Sequence, residues 1–270
     1  MADPAALTRI YPVLVRARVR SDWQYRTSFV IWTFTSAMFT FTEFIAVVVF
    51  FHNVDELAGW SLGQTAVLYG MAGTSFALGD AFTSQVERVS LHVKAGTFDR
   101  FLLRPVSPYL LLAADEFAFR RLGKVVQALA VLCVAGVVAD IDWTPLDAVM
   151  VVGAIATGAV IFAAVWCITS CLAFWTVETQ EVANSFTYGG NYATQYPADI
   201  FTGWLRRVLL TVVPLGFVAY LPLAWILDKE QALGVDPAWG FASPLVAIAL
   251  VCVARVTWRA GLRHYRSTGS

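Results

Sequence analysis

The residue that most invites a chemical role is Glu43, an acid set within an apolar run. Thr33, Ser36 and Thr40 precede it at i, i+3 and i+7, with Glu43 at i+10. That spacing places all four on one helical face. A charge inside a membrane span costs roughly 3 kcal/mol on insertion scales, so the acid must face other helices, lose its charge, or both. The stripe fits the lining of a translocation path. It also fits an interhelical hydrogen-bonding seam, a role that Ser and Thr commonly fill.

Other chemistry falls away quickly. The stretch RLGKVV, 121–126, has the Gly-Lys of a phosphate loop, but Ala118 stands where the first glycine belongs and Val125 replaces the Ser or Thr. His52, His92 and His264 are too scattered to converge on a metal. No Gly-x-Ser-x-Gly elbow occurs. Cys167 and Cys171 share a helix face, yet two thiols without further ligands make a poor metal site, and with Cys133 and Cys252 they read as small packing residues. No catalytic residue, no metal and no cofactor bound by this chain is expected.

The elements that would carry Glu43 are written in the composition. Of the 270 residues, 58% are hydrophobic and 14% charged, and the mean hydropathy is +0.64. Apolar runs long enough to cross a bilayer recur. They predict an all-α polytopic membrane protein with six spans, at about 28–51, 62–80, 122–138, 147–175, 208–227 and 241–258. With the amino terminus cytoplasmic, every Lys and Arg except Lys229 falls inside, Arg206 and Arg207 among them. The outer loops instead carry Asp55, Glu56, Asp140, Asp142, Asp147, Asp228, Glu230 and Asp236. This positive-inside pattern predicts both termini in the cytoplasm.

Residues 1–27 carry Leu7, Ile10, Tyr11 and Leu14 at helical spacing among arginines, which predicts an amphipathic helix on the inner lipid surface; a solvated basic tail is the alternative. The single transmembrane domain is 28–258, and 259–270 is a basic cytoplasmic tail. Ala66, Gly70, Gly73 and Ala77 form a small-residue stripe suited to close helix packing. Pro214 and Pro222 interrupt the fifth span and mark a hinge or gate. The aromatic, glycine-rich stretch before that span fits either a gate or an interfacial belt.

One cytoplasmic stretch, 84–108, is too polar for a bilayer and too apolar for a free loop. Its Glu87, Arg88, Gly96, Thr97, Phe98, Asp99, Leu102, Leu103, Pro105, Val106 and Ser107 resemble the segment after the second span of ABC-2 type export permeases. YPADIFTGWLRRVLLTVVPLGFVAYLP, 196–222, and the terminal GLRHYRSTGS look like the six-span bacterial branch encoded apart from its ATPase, with His264 in place of one arginine. The resemblance implies that the segment is a coupling helix seated in a groove of an ATP-binding cassette ATPase. The residues agree. A helix over about 84–94 would present Val86, Val89 and Val93 to a partner groove, and Gly96 would end it. Asp99, Arg100 and Arg104 would ring the contact, and Pro105 and Pro108 would stiffen the exit.

The reading is a permease forming half of a translocation path in the bacterial plasma membrane. The implied partners are two ATPase subunits, which bind the ATP and Mg, a second permease identical or related, and membrane lipid, with no nucleic acid. A secondary transporter powered by an ion gradient is the rival. It normally shows more intramembrane acids and internal repeats than this chain has. A non-transporting membrane scaffold is the third.

Overall fold

Two of the long helices begin at caps that the sequence supplies. The computed structural model describes residues 16, 20, 26–52, 54–115, 122–176, 179–229 and 236–266. The first helix, α1, covers Arg26–Phe51 and α2 covers Leu62–Thr83. Ser61 and Gln64 cap α2 reciprocally, each side chain accepting from the other's backbone N–H at 3.3 and 3.2 Å. A 3-10 turn, Ser84–Arg88, leads into α3, Val89–Lys94, then α4, Asp99–Leu102, and α5, Pro108–Asp115. Next come α6, Leu122–Val138, and α7, Pro145–Ser170. Thr144 and Asp147 form a second capping box, with Pro145 opening α7. The chain continues through α8, Gln180–Thr194, α9, Gly203–Arg207, α10, Tyr220–Ile226, and α11, Ser243–His264. Among the described residues the fold is all-α.

Small residues set the packing. Cβ atoms on Gly63 and Gly70 would stand 2.7 Å from the backbones of Ala139 and Leu132, and one on Gly73 3.5 Å from Ala128. These pairs descend α6 as they ascend α2, so the two helices are antiparallel and in backbone contact. Gly70 and Gly73 of the expected small-residue stripe therefore face α6. On its other side α2 meets α7 in the parallel sense, Ser75 against Gly158 and Gly79 against Phe162 and Trp166. Then α11 runs beside α7, with the Cys167 thiol near the Ala254 carbonyl and Gly261 against the Phe174 ring. In α8, Tyr188 lies against Phe76 and Trp166.

Turns 54–61 and 139–144 mark one end of this bundle, the far end. The segment from Ser84 to Asp115 and the end of α11 mark the near end. Val137, Val152, Leu245 and Ile248 point outward, and α1 exposes Val30, Ile31 and Phe34. Pro145–Phe174 and Ala238–His264 are long and apolar enough to cross a membrane, with Phe41–Phe51 and Gly123–Val138 as shorter apolar helices. An outward apolar surface of this kind suits lipid, since water would leave it unpaired.

Two expectations are corrected here. Residues 208–227 are not one helix. A π turn, Val208–Val212, is followed by a non-helical stretch at 213–214, a 3-10 turn, Leu215–Phe217, and only then α10. Pro214 sits at the break, whereas Pro222 lies in the first turn of α10, where a missing N–H is tolerated. The stretch enters the bundle from the far end, reaches Gly158, Gly190 and Ser75, and returns to that same end. Cβ atoms at Gly158 and Gly190 would meet Val218 and Leu215 at 2.9 and 2.6 Å, so the two glycines form the socket for its tip. Residues 214–219 are buried throughout, which is the condition under which irregular backbone is tolerated at that depth. The helix that runs from the near end to the far end is instead α8, which is too polar for the hydropathy pattern to mark as a span.

The second correction concerns charge. Arg206 belongs to the far end. Its guanidinium donates to the carbonyls of Ala198, Asp199 and Phe201 at 3.2, 2.8 and 3.1 Å. Asp199 in turn accepts from Trp60 Nε1, in the turn 54–61, at 3.1 Å. Arg206 and Arg207 therefore lie with the loops expected outside. The amphipathic helix expected over 1–27 falls almost entirely outside the described residues, as does the end of the basic tail.

Candidate functional site

At the near end, the chain stops helix α3 as its sequence predicts. Gly96 has φ +66°, the left-handed region that a side chain resists. Its N–H reaches the Val93 carbonyl at 3.2 Å, and the Thr97 N–H reaches the His92 carbonyl at 3.0 Å. Together these close the helix C-terminus. The Thr97 hydroxyl also meets His92 Nδ1 at 3.0 Å.

The apolar face points the other way from expectation. Val86, Val89 and Phe98 are fully buried within the chain's own core, among Phe101, Cys171, Phe174 and Trp258, with Val93 packed at the edge. Val86 and Val89 are thus enclosed within the chain, while Val93 is half-buried. An amphipathic helix must bury its apolar stripe, and here the turn Cys171–Phe174 and α11 already cover it. What remains outward is Leu91, Leu102 and Leu103, the last 86% exposed, with Lys94, Arg100 and Arg104. Glu87 and Arg88 are half-buried between the two faces.

This outward surface is anchored rigidly. Phe98 packs its ring against Phe174 and Tyr265 at 5.4 and 5.0 Å, and Phe174 packs on Trp258 at 5.6 Å. The Tyr265 hydroxyl donates to Asp99 Oδ1 at 3.0 Å. Gly261 admits the Phe174 ring, which a Cβ would approach to 2.3 Å. The stretches holding Gly96–Asp99 and Gly261–Tyr265, far apart in sequence, are therefore two halves of one contact. His264 stacks on Trp175 at 5.7 Å and lies in the same region.

The polar stripe of α1 is divided. The methyl of Thr33 packs toward Gly123 of α6. The side chains of Ser36 and Thr40 lie outside the described residues. Glu43 turns instead toward α8, where its Oε1 accepts the Tyr192 hydroxyl at 2.8 Å. Tyr69, buried, packs on Phe44 at 5.3 Å beside this pair.

A polar knot closes the far end. Asp199 Oδ2 accepts from both Trp60 and Tyr220, at 3.1 and 3.0 Å, and the two rings lie 5.8 Å apart. The Lys229 ammonium sits over the Trp60 ring at 5.1 Å and donates to the Gly59 carbonyl. This knot clamps both limbs of the re-entrant stretch to the turn between α1 and α2. The acid, aromatic and basic residues were visible, but nothing in their spacing of up to 170 positions announces contact.

Lys124 of the RLGKVV stretch lies 3.6 Å from buried Asp80, engaged within the bundle. Compared with known proteins, the sequence matches the family model for an ABC-2 family transporter protein over residues 37–269. No curated protein and no solved structure matches it. The matched span covers most of the 270 residues and takes in Glu43, the near-end segment and the re-entrant stretch, so the chain belongs to the ABC-2 family of transporter membrane proteins.

Proposed function

We propose that the chain is the permease subunit of an ATP-driven exporter and docks its ATPase through the outward face of 91–104. The observation that supports this most is the near-end contact. A leucine and arginine surface stands on a ring-packed base tied to both α7 and α11. Free energy released in a separate subunit does work on a permease only through such a stiff connection. The interface is read as Leu91, Leu102 and Leu103 entering an apolar groove, with Lys94, Arg100 and Arg104 meeting acids at its rim.

In this reading α1, α2, α6, α7, α8 and α11 cross the bacterial plasma membrane, the near end is cytoplasmic, and 198–227 is re-entrant from outside. Two such chains, identical or related, would enclose the path, and two ATPase subunits would bind the ATP and Mg. Closure of the ATPases would draw the two near-end segments together and move α7 and α11 with them. Pro214, at the tip of the re-entrant stretch, is the hinge that would answer this motion.

The test is purification of the full chain from its own membrane in mild detergent. A nucleotide-hydrolysing cassette subunit should co-elute, and its ATP hydrolysis should fall when the complex is dissociated. A folded, monodisperse chain that carries no ATPase would refute the reading.

A further inference from the structure

Glu43 and Tyr192 meet across the seam between α1 and α8, and their surroundings distinguish the acid from one buried only to tie helices together. Glu43 is half-buried and Tyr192 is 49% exposed, so the pair opens at the surface of the bundle. No Lys or Arg occurs in residues 27–87 or 180–205, which include α2, α8 and nearly all of α1. The nearest helix with a lysine, α6, turns Lys124 toward Asp80. The carboxylate therefore has a hydroxyl donor but no balancing cation from these elements.

Aromatic rings lie beside it. The Tyr192 hydroxyl is bonded to Glu43, and Phe44, the next residue of α1, packs on the buried Tyr69 ring. Along α8, Val182, Phe186 and Tyr192 are exposed, and Gly189 faces open space. An acid flanked by electron-rich rings and an apolar surface selects one kind of ligand. An anion is repelled. A hydrated metal ion needs several oxygen ligands, and no cluster of three His, Cys, Asp or Glu occurs among the described residues. An organic ammonium satisfies the carboxylate with its charge and the rings with its substituents.

We infer that the Glu43–Tyr192 seam is a binding site for an organic ammonium ion bearing apolar groups. This rests on the exporter reading only for the statement that the ligand is cargo; the recognition itself belongs to this chain. The same chemistry is present in a choline or ethanolamine headgroup, so free cation and lipid are the two sources to separate.

The probe is ethidium, with the full chain in dodecyl maltoside and fluorescence anisotropy as the readout. Saturable binding is expected, and the uncharged phenanthridine ring system should not compete. Glu43→Gln should weaken binding by about tenfold or more, since it removes the charge and keeps the shape. Tyr192→Phe keeps the ring and frees the carboxylate, so it should bind as the wild type does, whereas Tyr192→Leu should lose affinity. Competition by added phosphatidylcholine would identify the ligand as a lipid headgroup; its absence would identify a free cation. Saturable binding unchanged in Glu43→Gln, or no saturable binding by the folded wild type, overturns the inference. Should Glu43→Gln fail to elute as a single species, retained affinity in Tyr192→Leu overturns it instead. A chain that co-elutes with its ATPase but ignores ethidium would sink this inference alone.

Discussion

Val89→Asp should unfold the near end of the chain, while Leu103→Asp should leave it folded and detach the ATPase. The contrast follows from burial, because the two positions are only fourteen residues apart yet stand at opposite extremes. Val89 is fully buried among Phe98, Cys171 and Phe174, and Leu103 is 86% exposed. Aspartate at position 89 forfeits about 2 kcal/mol of buried apolar transfer and adds a carboxyl without a partner, worth several more. The total is comparable with the stability of a whole domain, about 5–15 kcal/mol. At position 103 the same change touches solvent and costs the isolated chain within about 0.5 kcal/mol. In a complex, however, it would place an acid where an apolar groove is expected. Thermal melting followed by tryptophan fluorescence, together with ATPase co-elution, reads both effects. A folded Val89→Asp that has lost the ATPase, beside a Leu103→Asp that keeps it, would restore the valine face as the docking surface.

Cysteine accessibility should show an all-or-none pattern at the re-entrant stretch. In a background lacking Cys133, Cys167, Cys171 and Cys252, single cysteines at Asp55, Gly203 and Lys94 report the two ends. Gly203 opens α9, and a Cβ there meets nothing within 4 Å, so the substitution is harmless. The Asp199 and Arg206 contacts tie this stretch to the turn holding Trp60. An impermeant thiol reagent applied to intact cells should therefore label positions 55 and 203 and spare 94. Permeabilised cells should label all three. Position 203 labelled in step with 94 and not with 55 would mean that 208–227 crosses the membrane as a continuous span.

The sequence and the structure agree where local chemistry decides. The stop at Gly96 needs a residue that accepts positive φ, and the close α2–α6 approach needs glycine at position 70, within the small-residue stripe; both are readable from residue types alone. Hydropathy was blind to α8. QEVANSFTYGGNYAT carries Thr187 and Asn191 into the bundle, where they are buried, and puts Phe186 and Tyr192 outside. Its apolar content is too low for a span, while its pattern is that of a helix with a polar inner face. The re-entrant stretch failed for the opposite reason. It is apolar enough to cross, and composition does not distinguish a crossing from an entry and return. The placement of Arg206 followed the positive-inside rule, which counts charge, whereas three backbone carbonyls hold that guanidinium at the far end. Periodicity likewise revealed that Val86, Val89 and Val93 share a face but not whose core the face would enter. Glu43 was legible as an anomaly, and its partner Tyr192, 149 residues away, was not.

The proposed docking sets an ATPase against the outward face of the near-end segment. A photo-crosslinking amino acid placed singly at positions 103, 91 and 89, in the full chain within its native membrane, tests that claim. Positions 103 and 91 should give an adduct with an ATP-binding cassette subunit. Position 89 should give crosslinks within the chain alone. An ATPase adduct from 89, or none from 103 and 91, would contradict the docking.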